Sequence, residues 1–327
     1  MINTSIGLIG VAKQTAKGTP ASTPTFVHGL TGGQTFKLDR SVEDAPVSCG
    51  VRAGTDSYVS SITPGVDFET YGYSDVLPLY FYAAMGDVVT TGSGTYTHTV
   101  TLGDTLPYLT FWGRIGSEFT RADSCKVDEI EMEFEGNSPL TFGITAIGMD
   151  ALFGLASFPG AVTPSCFDGY FVPTGGTFAI DTNSDTPAAA PITAGSMTLA
   201  NNCTADPLAG QATPGDVEEG KLNVSGSVTV KPSDMELWRK LVTGSSAGTT
   251  PTGQMVYGSF EWQFTHSKEP THTMTVTAEH VAFACDFPSV DPDGGAAELE
   301  FTFDNAYVTT AGGTPVTVVF VNETASY

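Results

Sequence analysis

The strongest periodicity in the chain lies at residues 126–149, KVDEIEMEFEGNSPLTFGITAIGM, where Glu129, Glu131, Glu133 and Glu135 alternate with Ile130, Met132 and Phe134. A period of two predicts a β-strand with four carboxylates on a wet face and three large apolar groups on a buried one. The break at Gly136-Asn137-Ser138-Pro139, followed by the strand-like run 140–147, predicts a hairpin. The same pattern returns at 297–305, AELEFTFDN, where Glu298, Glu300, Thr302 and Asp304 oppose Leu299, Phe301 and Phe303. With the apolar run 316–321 it predicts a second acidic/apolar hairpin.

Shorter signals fill the space between. Residues 1–35 are polar and rich in Gly, Thr and Pro, and read as an arm. Alternation marks strands at 34–41 and 66–71, separated by a long loop at 42–63. Asp75 is placed to cap an almost wholly apolar helix ending at Gly86, and a Gly/Thr loop at 86–95 leads to strands at 96–102 and 106–115. After a linker at 151–165 the order recurs. Strands at 196–202 and 222–230 flank a long loop at 203–220. A helix with Ser233 and Glu236 in capping-box spacing ends at Gly244, and a Gly/Thr loop, two strands and the second acidic segment follow. Parallel order and character predict an internal duplication: an arm at 1–35, one β domain at 36–150, a linker at 151–165 and a second β domain at 166–327.

Composition supports a chain of many short strands: 37 Gly and 20 Pro accompany abundant Thr and Ser in 327 residues. The net charge of −23 argues against a sequence-independent grip on nucleic acid, which needs Lys and Arg to replace phosphate counterions. Five widely spaced cysteines without a C-x-x-C pair read as reduced thiols. The N-terminal residues lack a charged segment followed by a long apolar one, and no run approaches ~18 apolar residues. The expectation is a product that stays soluble where it is made.

The candidate chemistry is thin. Glu129, Glu131, Glu298 and Glu300 include alternate carboxylates at a spacing of about 7 Å, within the range of inverting glycosidases, yet a row of exposed acids supplies no desolvated general acid. His266, His272 and His280 fit no metal-binding spacing and read as separate surface residues. Asp291 and Asp293 form half a calcium loop without its later ligands. Trp112, Trp238 and Trp262 read as core or interface rather than a sugar platform. No cofactor, metal or catalytic residue is expected.

The segments GLIGVAKQTAKGTPASTPTFV, ITPGVDFETYGYSDVLPLYFYAAMG, YTHTVTLGDTLPYLTFW and CKVDEIEMEFEGNSPLTFGITAIG resemble the major tail tube proteins of long-tailed, non-contractile bacteriophages. SMTLANN, GSVTVKPSDMELW and AELEFTFDN extend the resemblance into the C-terminal half. The resemblance implies a mainly β chain of two tandem β-sandwich or half-barrel domains, each with one short flanking helix, assembled as stacked rings around a DNA channel. Six tube domains complete such a ring, which two-domain chains reach as a pseudo-sixfold trimer and one-domain chains as a hexamer. It implies a virion tail component assembled in the host bacterial cytoplasm, with no membrane insertion. Its partners are further copies of itself, tape-measure and tail terminator or tip proteins, and double-stranded DNA in transit. Glu129, Glu131, Glu133, Glu135, Glu298, Glu300 and Asp304 are the candidate lumen lining. Val47, Val51, Arg52, Tyr58, Leu208 and Val217, in the two long loops, are candidate ring-to-ring contacts. A different reading, a secreted β-sandwich that binds surfaces or carbohydrate, predicts a signal peptide and a concentrated aromatic face; neither is visible in the pattern.

Overall fold

The computed structural model describes residues 7–33, 36–45, 56–160, 162–184, 186–206, 208–288 and 297–327. In chain order the first half contains β1 (Gly7–Lys13), β2 (Phe26–Gly29), β3 (Lys37–Asp44), β4 (Ser57–Tyr71) and α1 (Leu77–Met85). It continues with β5 (Gly86–Ser93), β6 (Thr95–Leu102), β7 (Leu109–Ile115), β8 (Glu118–Glu135), β9 (Thr141–Ile147) and β10 (Asp150–Phe153). The second half opens with β11 (Phe171–Asp181), β12 (Ala188–Ala189), β13 (Ile192–Ala200), β14 (Thr204–Asp206), β15 (Asp216–Glu218) and β16 (Asn223–Val230). After α2 (Glu236–Thr243) come β17 (Gly258–His266), β18 (Thr273–Val281), β19 (Leu299–Phe303) and β20 (Thr317–Asn322).

These strands build one shared acidic sheet, two flanking sheets and a separate two-stranded ladder, β14·β15, as expected of a mainly β sandwich. The acidic sheet runs β3-β4-β9-β8-β13-β16-β19, antiparallel at every step. The N-terminal flanking sheet is β2-β1-β7-β8-β10, and the C-terminal one is β12-β11-β17-β18-β20-β6-β5. Strand β8 belongs to two sheets because it bends at Ser124, whose φ of 51° is in the left-handed region. The Ser124 hydroxyl secures the bend, accepting from Gly18 N–H (3.0 Å) and donating to Gln14 Oε1 (3.0 Å).

Burial follows the alternation. Ile130, Met132 and Phe134 point inward, and Phe134 meets Phe178, Trp262 and Phe264 of the C-terminal flanking sheet at centroid distances of 5.2–5.3 Å. Phe68 of β4 meets Phe111 of the N-terminal flanking sheet at 6.2 Å. Helix α1 is buried along its whole length except at Tyr82, and Phe81 bridges Phe142 (6.1 Å) and Phe320 (5.5 Å). One core cluster runs through both halves of the chain.

Several expectations change. Residues 7–13, read as part of an arm, form β1, in which Ile9 and Val11 are fully buried. Most described residues of the 42–63 "loop" belong to the β3·β4 ladder, which pairs Lys37 with Gly65 and Asp44 with Ser57. The strand expected at 34–41 is present as the first part of β3, but every residue of β3 is exposed, so no apolar face announced its continuation through 42–44. Residues 86–93 are strand β5, which begins directly at the left-handed Gly86 closing α1. The 151–165 linker overlaps β10, and the 203–220 loop contains the β14·β15 hairpin. The second acidic hairpin does not form: β19 pairs with β16 in the acidic sheet, while β20 lies between β18 and β6 in the C-terminal flanking sheet. Neither helix has the expected side-chain cap. Asp75 instead accepts the Ser165 hydroxyl at 2.5 Å, and Asp234, not Ser233, takes the Glu236 N–H at 2.8 Å.

Candidate functional site

The acidic sheet turns one face to the core and one to solvent, and the solvent face can be read row by row from the register. Asp67, Thr145, Glu129, Ala200 and Asn223 stand side by side across β4, β9, β8, β13 and β16. The next row is Glu69, Gly143, Glu131, Thr198 and Ser225. Beyond it lie Tyr71, Thr141, Glu133, Ser196, Ser227 and Thr302, then Glu135, Ala194, Thr229 and Glu300. Carboxylates therefore alternate with small hydroxyl, amide and Gly or Ala positions, and these four rows hold no Lys or Arg. A shallow groove of about 470 Å³ opens over Glu133, Glu135, Ser196, Ser227 and Glu300.

The structure gathers Glu129, Glu131, Glu133, Glu135 and Glu300 on this face, with exposed Glu298 and Asp304 just beyond the two ends of β19. Glu298 pairs with Lys231 at 3.1 Å, both about half exposed, which makes the pair weak. Asp67 and Glu69 also belong to the face and were not among the candidates; the alternation of Asp67 and Glu69 with Val66 and Phe68 was the available signal. Partial burial, then the charges of Glu131, Asp128 and Asp67, hold the Glu129 carboxyl above its ordinary range. The acids act on one another as a single repulsive field.

The outward face of the C-terminal flanking sheet contrasts with this. Its central row is Thr177, Gln263, Thr275, Val319, Thr99 and Val89, uncharged throughout. Other positions of the same face hold exposed Glu261, Glu279 and Asp87, so negative charge is denser on the acidic sheet but not confined to it.

Of the loop candidates, Val47, Val51 and Arg52 lie outside the described residues. Tyr58 is exposed on β4 and donates to Glu43 Oε2 at 3.0 Å; Leu208 is also exposed. Val217 is fully buried, packed with Leu106 and Cys203 under the 203–220 excursion. That excursion is held to the body by Lys17–Asp216 (2.6 Å), Tyr108–Asp216 (2.6 Å) and the Lys126–Glu219 ion pair. Ile62 N–H donates to Ala212 O at 2.7 Å, joining β4 near the base of the first excursion to the connection between β14 and β15 in the second.

The other candidates do not converge. Trp112 and Trp262 are buried and Trp238 packs on Phe287 from α2, so the three indoles form no platform. His266 is buried rather than on the surface, its ring 5.7 Å from that of His272. Asp291 and Asp293 lie outside the described residues. Cys125, Cys166, Cys203 and Cys285 are free thiols; burial pushes the Cys203 thiol up to about 12 and that of Cys285 up to about 11. Among the described residues no group of His, Cys, Asp or Glu is arranged to hold a metal, and no helix is long and apolar enough to cross a membrane.

A β-sandwich whose organised surface is an extended acidic sheet face, rather than a cleft, has the character of a structural protein. The chain matches the model of the phage tail tube protein family over residues 4–304, and it belongs to that family. It is a self-assembling component of the virion tail tube. A comparison with curated proteins finds no match.

Proposed function

We propose that the chain is two tube units in tandem, that three chains close into a pseudo-sixfold ring, and that stacked rings form a channel for double-stranded DNA lined by the acidic face. The repetition of pairings supports the duplication. The ladders β1·β2, β1·β7, β7·β8 and β8·β10 recur as β11·β12, β11·β17, β17·β18 and β18·β20. In the acidic sheet β3·β4·β9·β8 recurs as β13·β16·β19 and the strand-like segment that bridges Thr302 through Ala284. On this reading the units correspond to 36–150 and 166–327; the first is completed by β1 and β2 before it and by the end of β10, whereas the strands of the second all lie within 166–327.

The close rows of carboxylates on the acidic face, unbroken by Lys or Arg, are the observation that carries the channel reading. A wall of carboxylates and small hydroxyl groups repels phosphate while remaining hydrated, so a duplex slides without sticking. Dimensions favour the trimer. At roughly 4.8 Å per strand and a tilt of about 40°, eight strands from each of three chains enclose a bore of about 50 Å between backbones, against about 95 Å for six chains. With side chains projecting inward, only the smaller bore keeps a duplex within about one Debye length, ~10 Å, of the acids. Tape-measure and terminator proteins are the expected partners at the ends of the tube, and the host cytoplasm is the expected place of assembly.

The test is to replace Glu129, Glu131, Glu133 and Glu135 together by Lys. Tubes should assemble, because the inward faces are unchanged, but DNA delivery by phage carrying the variant should fall sharply as phosphates bind the wall. Undiminished delivery would place the acidic face outside the channel.

A further inference from the structure

A ring of such chains must join the two outer edges of the acidic sheet, and the fold holds a template for that joint. We propose that the segment 282–288 of one chain pairs antiparallel with β3 of a second copy, in a register copied from the internal β8·β13 ladder. The inference rests on the ring reading and specifies which strands meet and which residues face each other.

Direction decides which edges can meet. The seven named strands alternate, so β3 and β19 run the same way, and joining them between identically oriented chains would make a parallel ladder. Beyond β19, however, Ala284 N–H donates to Thr302 O and Thr302 N–H to Ala284 O, both at 2.8 Å, an antiparallel bridge. The 282–288 segment therefore supplies an eighth strand direction opposite to β3. Because Ala284 turns both its main-chain groups to Thr302, strand geometry turns those of Phe283 and Cys285 to the open side. Among the described residues β3 pairs with β4 alone.

The register follows by superposing the two units on their buried pairs. Phe68 opposite Ile144 corresponds to Val228 opposite Phe301. Thr145, which faces Glu129, then corresponds to Thr302, which faces Ala284, so Ala284 stands where Glu129 stands and Asp286 where Glu131 stands. On the other edge, Lys37 opposite Gly65 corresponds to Thr198 opposite Ser225. Inside the chain Glu131 faces Thr198. Between chains Asp286 therefore faces Lys37.

The side chains suit this register without having been used to set it. Asp286 and Lys37 are of opposite charge. Cys285 meets Leu38 where Ile130 meets Leu199, and Phe287 meets Phe36 where Met132 meets Met197. The four internal residues are buried, whereas Leu38 is 45% and Phe287 is 63% exposed in the free chain. The joint thus covers two of the large apolar groups that an isolated chain leaves in water, and it protects two strand edges.

Leu38→Cys in a Cys166→Ser background tests the register, because residue 38 then faces the natural Cys285 of the next chain. Under mild oxidation, assembled rings should yield covalent ring-sized species on non-reducing gels, and a Cys285→Ser control should yield none. Rings that bond through Val42→Cys but not Leu38→Cys would overturn the register. Chains that never form rings at any concentration would overturn the ring reading itself. As an independent measurement, Lys37→Asp should raise the concentration needed for ring formation about fivefold, and adding Asp286→Lys should restore it, as expected for one cross-strand charge pair. Assembly of Lys37→Asp at the wild-type concentration would also overturn the proposal.

Discussion

His28 shows how a single residue ties three segments together out of reach of any sequence pattern. Its Nδ1 lies 2.9 Å from Gly29 O and its Nε2 2.6 Å from the Tyr80 hydroxyl, with Thr70 Oγ1 3.2 Å from Nδ1. A neutral ring that donates from Nδ1 to the carbonyl and accepts the Tyr80 proton at Nε2 satisfies these groups. Complete burial lowers its pKa from 6.5 to about 4, opposed in part by the Gly29 hydrogen bond. The folded ring therefore binds its proton less readily than the unfolded one, so the stability it confers is present above pH 6.5 and is lost as pH falls from 6.5 towards 4. Urea midpoints of the unassembled chain should decline across that window, and the His28 ring should titrate by NMR near pH 4. A His28 resonance titrating near 6.5 would contradict the buried network. Nothing in the local sequence Phe26-Val27-His28-Gly29 could have signalled this: one partner is 52 residues away, on α1.

At the scale of elements, alternation was legible wherever one face is buried and the other wet, as in β8, β9, β16 and β19. In β3, where both faces are exposed, it marked residues 37–41 but missed the continuation to Asp44, and it could not assign partners. Thus β19 and β20 were both readable as strands, but their membership of different sheets depends on β6 and β18, far away in the chain. Helix α1 was legible for a simple reason: apolar on nearly every side, it had to be enclosed. Phe81 is the point at which that enclosure joins the acidic sheet, through Phe142, to the C-terminal flanking sheet, through Phe320. Phe81→Ala should therefore cost about 3–5 kcal/mol in urea unfolding. A cost below about 1 kcal/mol would mean that the helix is not the wedge between the sheets. In α2, by contrast, no residue is fully buried, and its apolar side only rests against the core.

At the scale of the whole molecule, the sheet directions put both long excursions at one end. Strand β4 runs in the same direction as β8, so its segment 57–64, beyond the Gly65–Ile147 pair, extends on the Lys126 side of the acidic rows. Strand β13 runs the opposite way and finishes at Ala200, opposite Glu129, before the chain enters the 203–220 excursion on that same side. The Ile62–Ala212 hydrogen bond confirms that the two excursions meet. In a ring whose barrel axis follows these strands, both point along the axis towards a neighbouring ring, whereas the joint between 282–288 and β3 lies around the circumference. The two kinds of contact can then be separated by mutation. Replacing 45–56 by Asn-Gly preserves the Asp44–Ser57 pair while removing the far end of one excursion, and a two-residue turn of this type suits a hairpin. The variant should keep the thermal stability of the wild type and form single rings by negative-stain microscopy, but no stacked tubes. Tubes of normal length would show that the far end of this excursion is not needed for stacking, and loss of rings as well would show that axial and circumferential contacts are not independent.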